Sequence, residues 1–245
     1  MNYLLSSDIF SVILFLFGLV FGSFLNVVIY RVPRGLSVVK PRSACPNCGA
    51  AVRGYDNIPV LSWIILRGRC RDCRHPISPR YAVVELLCGF LFVSAYFYAA
   101  PLTSQLALWT LLKLCIFFFL LLGLIFIDFE HHLLPDALTI PGLLIGLALS
   151  LLIPVGGLPH ALIRRILALQ WPLPVVSLLE SLFGAALGAL FIYVVGELYF
   201  RVRHIEGMGF GDVKLMAMVG AFLGAELTLF TIFAGALLGS FFGLC

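Results

Sequence analysis

The sequence predicts an all-α fold: a polytopic bundle of about seven transmembrane helices carrying a small polar loop domain on one face. Three observations lead there. Of 245 residues, 62% are hydrophobic and 11% charged, whereas soluble domains carry roughly 45–50% and about 25%. Runs of about 20 apolar residues recur without strand-like alternation, and a helix satisfies its own backbone inside lipid. Finally, ten of the sixteen Lys and Arg fall within residues 31–80, opposed only by Asp56 and Asp72. By the positive-inside rule that segment is cytoplasmic, which puts the N-terminus on the far side.

The elements follow in order. Residues 9–30 form the first span; lacking a basic leader and too long for a signal peptide, it reads as a retained helix. The polar loop 31–80 is followed by spans at 81–100 and 106–127, joined by a short turn at 101–105. A second polar loop, 129–136, has Pro135 as its breaker. Residues 137–153 return into the membrane, and 154–176 is a Pro/Gly-interrupted outer stretch holding Arg164 and Arg165. The next span is 177–200, a third polar loop covers 201–212, and two apolar segments, 213–223 and 227–245, close the chain at Cys245. Counting crossings from a cytoplasmic first loop puts Asp128 and Asp212 both at cytoplasmic helix ends. Gly184 and Gly188 with Ala185 and Ala189, and Gly220 and Gly224 with Ala221, have the spacing that lets helix backbones approach closely. Topology and contact with anionic lipid account for the basic charge, so no nucleic-acid partner is expected.

Within the first loop stand two knuckles, Cys45-Pro-Asn-Cys48 and Cys70-Arg-Asp-Cys73, with 21 residues between them. Each offers two thiolates from a tight turn, and together they complete a tetrahedron around Zn²⁺ with no open position, a structural site. Metal binding supplies folding free energy to a loop poor in large apolar residues. Two disulfides or four unpaired thiols are the alternatives, and a cytosolic face disfavours the disulfides. Cys88, Cys115 and Cys245 lie in apolar segments and read as small buried hydrophobes.

The chemistry lies with the carboxylates. An ionisable group near hydrocarbon is costly and marks function. Two carboxyls sharing a water can hydrolyse a peptide, one ionised and taking the proton, the other protonated and polarising the carbonyl. Asp128 and Asp212 are the expected pair. Gly209 and Gly211, in Gly209-Phe210-Gly211-Asp212, let the backbone bend at the helix entrance and a substrate strand come close. The first member has rivals in its own segment. Asp136 fits an N-cap, Glu130 a solvated charge, and His131 and His132 a metal site with Asp128 and Asp136. Lys214 either acts on Asp212 or snorkels. Glu85, beside the polar loop, is either functional or paired with Arg80.

With these residues in view, the chain closely resembles the bacterial prepilin peptidases, or type IV leader peptidases. The similarity runs nearly continuously through residues 22–224: GSFLNVVIYR at 22–31, PRSACPNC at 41–48, DNIPVLSW at 56–63, RGRCRDC at 67–73, ISPRYAVVEL at 77–86, then 128–136 and 207–224. The resemblance implies an inner-membrane aspartic endopeptidase that removes the short basic leader of prepilins and pseudopilins at the cytoplasmic face. Members commonly also methylate the new N-terminus with S-adenosylmethionine. It places Asp128 and Asp212 at the catalytic positions and Cys45, Cys48, Cys70 and Cys73 at the zinc positions. The expected organisation is a first helix at 1–30, a zinc-binding domain at 31–80 and a peptidase core at 81–245. The family's usual last helix, with its Pro-Phe-Gly-Pro segment, has no counterpart, so seven helices are expected where eight are usual. No glycine-rich nucleotide cradle marks a methyl-donor site.

Two other functions use such residues. A proton-coupled transporter needs carboxylates near the midplane and an inverted repeat; here they are interfacial and no repeat is evident. A non-catalytic pilus or secretion assembly protein would use the cysteine loop alone.

Overall fold

The computed structural model describes residues 2–102, 104–153, 172–204 and 209–243. Among them are seven helices: α1 (Asn2–Arg31), α2 (Leu61–Ile65), α3 (Arg80–Ala99), α4 (Ser104–His131), α5 (Asp136–Ser150), α6 (Leu173–Arg203) and α7 (Phe210–Gly243). Five are long and apolar enough to cross a membrane, with α5 shorter. The only β-pairings among the described residues are two isolated bridges. The chain divides into two compact units, Met1–Leu133 and Leu134–Cys245.

In the first unit, glycines bring α1 against α3. A Cβ on Gly22 would lie 2.6 Å from the Glu85 Cα, and one on Gly18 2.7 Å from the Gly89 Cα. Around this contact Leu25, Ile29, Val84, Cys88, Leu124 and Ile127 are buried. The amide of Asn26 donates to the Tyr81 carbonyl at 3.0 Å, fixing α1 to the first turn of α3. Arg80 pairs with Glu130, and Arg34 lies 3.5 Å from the His131 ring. The ends of α1 and α4 and the start of α3 therefore meet, α3 running against the other two. The polar loop and Asp128 share that end.

The second unit is a close sandwich of α5, α6 and α7. A Cβ on Gly184 would sit 2.5 Å from the Gly220 carbonyl oxygen, and one on Gly188 2.5 Å from that of Met216. The small-residue stripes thus bring α6 and α7 into antiparallel backbone contact, as their spacing predicted. Ser181 Oγ donates to the Ala221 carbonyl at 2.6 Å across the same seam. Gly224 breaks α7 with φ 77° and ψ 175°, a conformation open essentially to glycine alone. The break falls between the two closing segments predicted at 213–223 and 227–245.

Several predicted boundaries move. Residues 128–131 continue α4 instead of opening a loop. Polarity changes there before the hydrogen-bond ladder ends, and the helix stops only where His132 turns left-handed at φ 51°. The span predicted at 177–200 likewise extends to Leu173 and Arg203. Arg164 and Arg165, residues 154–171 of the outer stretch, Gly207, Met208 and Cys245 lie outside the described residues.

Candidate functional site

The two cysteine knuckles share one backbone design. In the first, the Cys45 N–H donates to the Ala50 carbonyl and the Gly49 N–H to that of Cys45, at 2.9 Å each. Cys70 with His75, and Arg74 with Cys70, repeat it at 2.8 and 3.1 Å. Bridges Ala44–Ala51 and Arg69–Pro76 close the loops. The fifth residue of each turn is left-handed, Gly49 at φ 72° and Arg74 at φ 62°.

These turns bring the four sulfurs within 4.8 Å of one another. None is disulfide-bonded, and Cys45 Sγ stands 3.8 Å from Cys73 Sγ. That separation matches the edge of roughly 3.8 Å in a tetrahedron with Zn–S bonds of about 2.3 Å. The backbone favours thiolates. N–H groups of Cys48 and Asn47 lower the Cys45 pKa, and that of His75 brings Cys73 down to about 6. Cys48 accepts the Ala50 N–H, yet its thiol neighbours, Cys73 foremost, push it up to about 12. Four anions cannot share so small a space unaided, and a divalent cation at their centre resolves the conflict. The donor set and spacing fit a metal ion.

Ion pairs tie the rest of the loop together. Arg71 grips Asp56 with two bonds, Nε–Oδ2 at 2.7 Å and Nη2–Oδ1 at 2.5 Å, which holds the Asp56 carboxyl below its usual range. Arg53 reaches Asp72 at 3.4 Å. The two acids of the loop are therefore both neutralised. Glu85 takes neither predicted form of partner from Arg80, whose ion pair is with Glu130. Instead its carboxylate accepts the Val60 N–H at 2.7 Å. This bond holds Val60 at φ 60° and ψ −51°, where a β-branched residue is strained.

Asp128 occupies the last turn of α4 and is exposed. Asp212 is the third residue of α7, and its Oδ2 accepts the Gly209 N–H at 3.2 Å. This is the acidic half of a capping box, which orders the turn and sets the carboxylate at the positive end of the helix. Gly211 permits the close packing there: a Cβ would come 3.1 Å from Leu134 Cβ. Asp136 is not the N-cap predicted for it. Pro135 holds that place without a side-chain bond, and Asp136 pairs with Lys214 at 2.6 Å. Lys214 is thereby engaged away from Asp212. Among the described carboxylates at these polar helix ends and loops, Asp56, Asp72, Glu130, Asp136 and Glu197 are in ion pairs. Asp128 and Asp212 form none with any described residue. They belong to different units, and each is described within its own.

Comparison with known proteins agrees with this picture. The model of the bacterial peptidase A24 N-terminal domain matches residues 16–99, and that of the type IV leader peptidase family matches residues 114–244. A prepilin leader peptidase/N-methyltransferase of Myxococcus xanthus is 41% identical over 218 residues, covering 88% of this chain and 56% of that protein. This chain therefore spans little more than half the length of that relative. Proteins of the same name from Dichelobacter nodosus and Aeromonas hydrophila are each 36% identical, covering 94% and 95% of this chain and 80% and 79% of their own lengths. No solved structure matches. Matched along most of its length by both family models, the chain belongs to the type IV leader peptidase family.

Proposed function

We propose that the chain is a multi-pass inner-membrane aspartic endopeptidase that cuts the short basic leader from prepilins and pseudopilins at the cytoplasmic face. N-methylation of the new terminus, with S-adenosylmethionine as donor, follows. The observation that carries the reading is the selection among acids: among the described residues, Asp128 and Asp212 at the helix ends have no cationic partner while their neighbours are neutralised. A carboxylate committed to an ion pair cannot trade protons with water; an uncommitted one can.

In this mechanism one of the two aspartates, ionised, takes the proton of a water as its oxygen attacks the scissile carbonyl. The other, protonated, gives its proton to the carbonyl oxygen; the first then passes the water's proton to the leaving amine as the C–N bond breaks, and a hydroxyl of the diol returns a proton to the second. The glycines before Asp212 keep the entrance of α7 narrow enough for an extended substrate strand. Cys45, Cys48, Cys70 and Cys73 would hold Zn²⁺ as a structural clamp. Its chemistry there is cross-linking, since four thiolates leave no vacant position.

The test is mass spectrometry of a co-expressed prepilin's N-terminus. The parental chain should yield a shortened, methylated terminus, while Asp128→Asn or Asp212→Asn should leave the leader attached. Cleavage at the parental rate by either variant overturns the assignment.

A further inference from the structure

Within the polar loop, the five-residue α2 takes no part in the proposed chemistry. Its inner face is accounted for. Ser62 and Trp63, with Leu66 just beyond, line a cavity of about 700 Å³ beneath the cysteine loop. Ser62 Oγ donates to the Tyr55 carbonyl at 3.0 Å, and the Trp63 indole N–H to that of Ile77 at 3.1 Å. The outer face has no such partners. Leu61, Ile64 and Ile65, three and four residues apart, are neighbours on one side of the turn. They are 50%, 58% and 65% exposed, and none of them lines the cavity.

One bond fixes the level of this face. The Val60 N–H, at the entrance to α2, donates to Glu85 Oε2 at 2.7 Å. Glu85 is the sixth residue of α3, about 7.5 Å along the axis from Arg80, with a side chain that leans back toward the helix start. Val60 therefore lies alongside the first two turns of α3, and those turns belong to a helix apolar enough to cross a membrane, Arg80–Ala99. Directly after α2 come Arg67 and Arg69, both exposed. Neither has an acidic partner among the described residues, since Arg71 and Arg53 take Asp56 and Asp72.

We infer that α2 is a membrane anchor that does not cross. Leu61, Ile64 and Ile65 enter the lipid of the leaflet at this end of the unit, and Arg67 and Arg69 sit above them among anionic phospholipid headgroups. The inference rests on the chain spanning a membrane, and on neither the peptidase nor the methylation reading. Water is a poor neighbour for three adjacent apolar side chains on an otherwise polar loop. Between lipid and a partner protein, level and charge favour lipid. An apolar face at the depth of the first turns of a spanning helix, rimmed by unpaired arginines, has the make-up of an interfacial segment. Tyr30 and Tyr81, at the ends of α1 and α3, put aromatic rings at the same boundary, where such rings collect. Because α2 falls between the two cysteine knuckles in sequence, lipid holds the loop from below while the sulfurs gather it from above.

A photoreactive diazirine side chain placed separately at positions 61, 64 and 65 of the full chain tests this. In nanodiscs of phosphatidylethanolamine and phosphatidylglycerol, irradiation joins it to whatever lies beside it, and mass spectrometry identifies the adduct as phospholipid, water or protein. Phospholipid should predominate at all three positions, as it should when the label replaces Phe90, an exposed residue of α3. Phosphatidylglycerol should be enriched among the adducts by roughly threefold or more over its share of the bilayer. Arg67→Gln/Arg69→Gln should abolish that enrichment and leave zinc content parental. Water adducts at all three positions overturn the anchor. So do adducts to a second copy of the chain or to prepilin added to the discs, which would make the face a protein interface. Lipid adducts without enrichment overturn the role of the two arginines. A second variant needs no label: Leu61→Gln/Ile64→Gln/Ile65→Gln spares the Ser62 and Trp63 bonds, yet should speed proteolysis within residues 31–80 in nanodiscs. Cutting at the parental rate would count against the anchor, because a face that meets only water gains from glutamine.

Discussion

At the residue scale, the entrance to α7 is governed by a methyl group that is missing. Gly211 packs against Leu134 so closely that a Cβ would stand 3.1 Å from that side chain, and the turn must shift to admit it. Misplacing a catalytic group by a fraction of an ångström is expensive in rate, so Gly211→Ala should lower leader cleavage by about three- to tenfold. Adding Leu134→Ala should restore most of the loss, since it removes the obstruction; a double variant as slow as the single one would count against the packing explanation. The same turn separates the acids. Asp136→Asn should retain leader cleavage, because Lys214 already engages that carboxylate at 2.6 Å, whereas Asp128→Asn should not. Local pattern in the sequence made Asp136 look like a cap, since Pro135 precedes it and an apolar run follows. Its true partner is 78 residues away, a distance no local pattern reports. The cysteine knuckles were legible for the opposite reason: both thiols of each lie three residues apart, within one turn.

At the element scale, small residues set how tightly the helices pack, and their roles differ by position. Gly224 sits at φ 77° and ψ 175°, so Gly224→Ala should cost about 1–3 kcal/mol, seen as a fall in thermal midpoint in detergent. Gly220→Val should be worse, because its Cβ would collide with the Gly184 carbonyl across the α6–α7 seam. Gly235 meets nothing within 4 Å, and there alanine should be neutral or stabilising by up to about 1 kcal/mol through helix propensity. Equal effects at all three would mean that propensity, not packing, dominates. The spacing of these glycines disclosed the seam from the sequence, and the apolar gap around Gly224 disclosed the break. Helix ends were less legible. Hydropathy marks where lipid stops, while a helix continues until its backbone is diverted, as at His132 beyond α4 and His204 beyond α6, both left-handed.

At the scale of the whole molecule, the thiolate cluster and the cavity above the first helical unit share walls: Cys45, Pro46, Cys70 and His75 line both the knuckles and the cavity. The loop has little apolar mass to hold itself, so metal binding should decide its shape. Replacing Cys45 and Cys73 together by Ser should release about one zinc per chain, with helix content by circular dichroism largely unchanged because the glycine contacts joining α1 to α3 and α6 to α7 lie outside the loop. Acid should act in the same order. With zinc proposed to be held by four thiolates, protons compete with the metal for sulfur as pH falls. A chromogenic chelator should therefore capture zinc increasingly as pH falls from 7 toward 5. The Asp56–Arg71 pair fails later. Its carboxyl is depressed in the folded loop, so its stabilisation is present above the unfolded value near 4 and disappears only as pH falls through the depressed one. If zinc shapes the loop, limited proteolysis within residues 31–80 should speed up as zinc leaves, and Cys45→Ser/Cys73→Ser should be cut there readily at pH 7. A zinc-free loop as resistant as the parental one would show that its ion pairs and the Val60–Glu85 bond hold it without the metal.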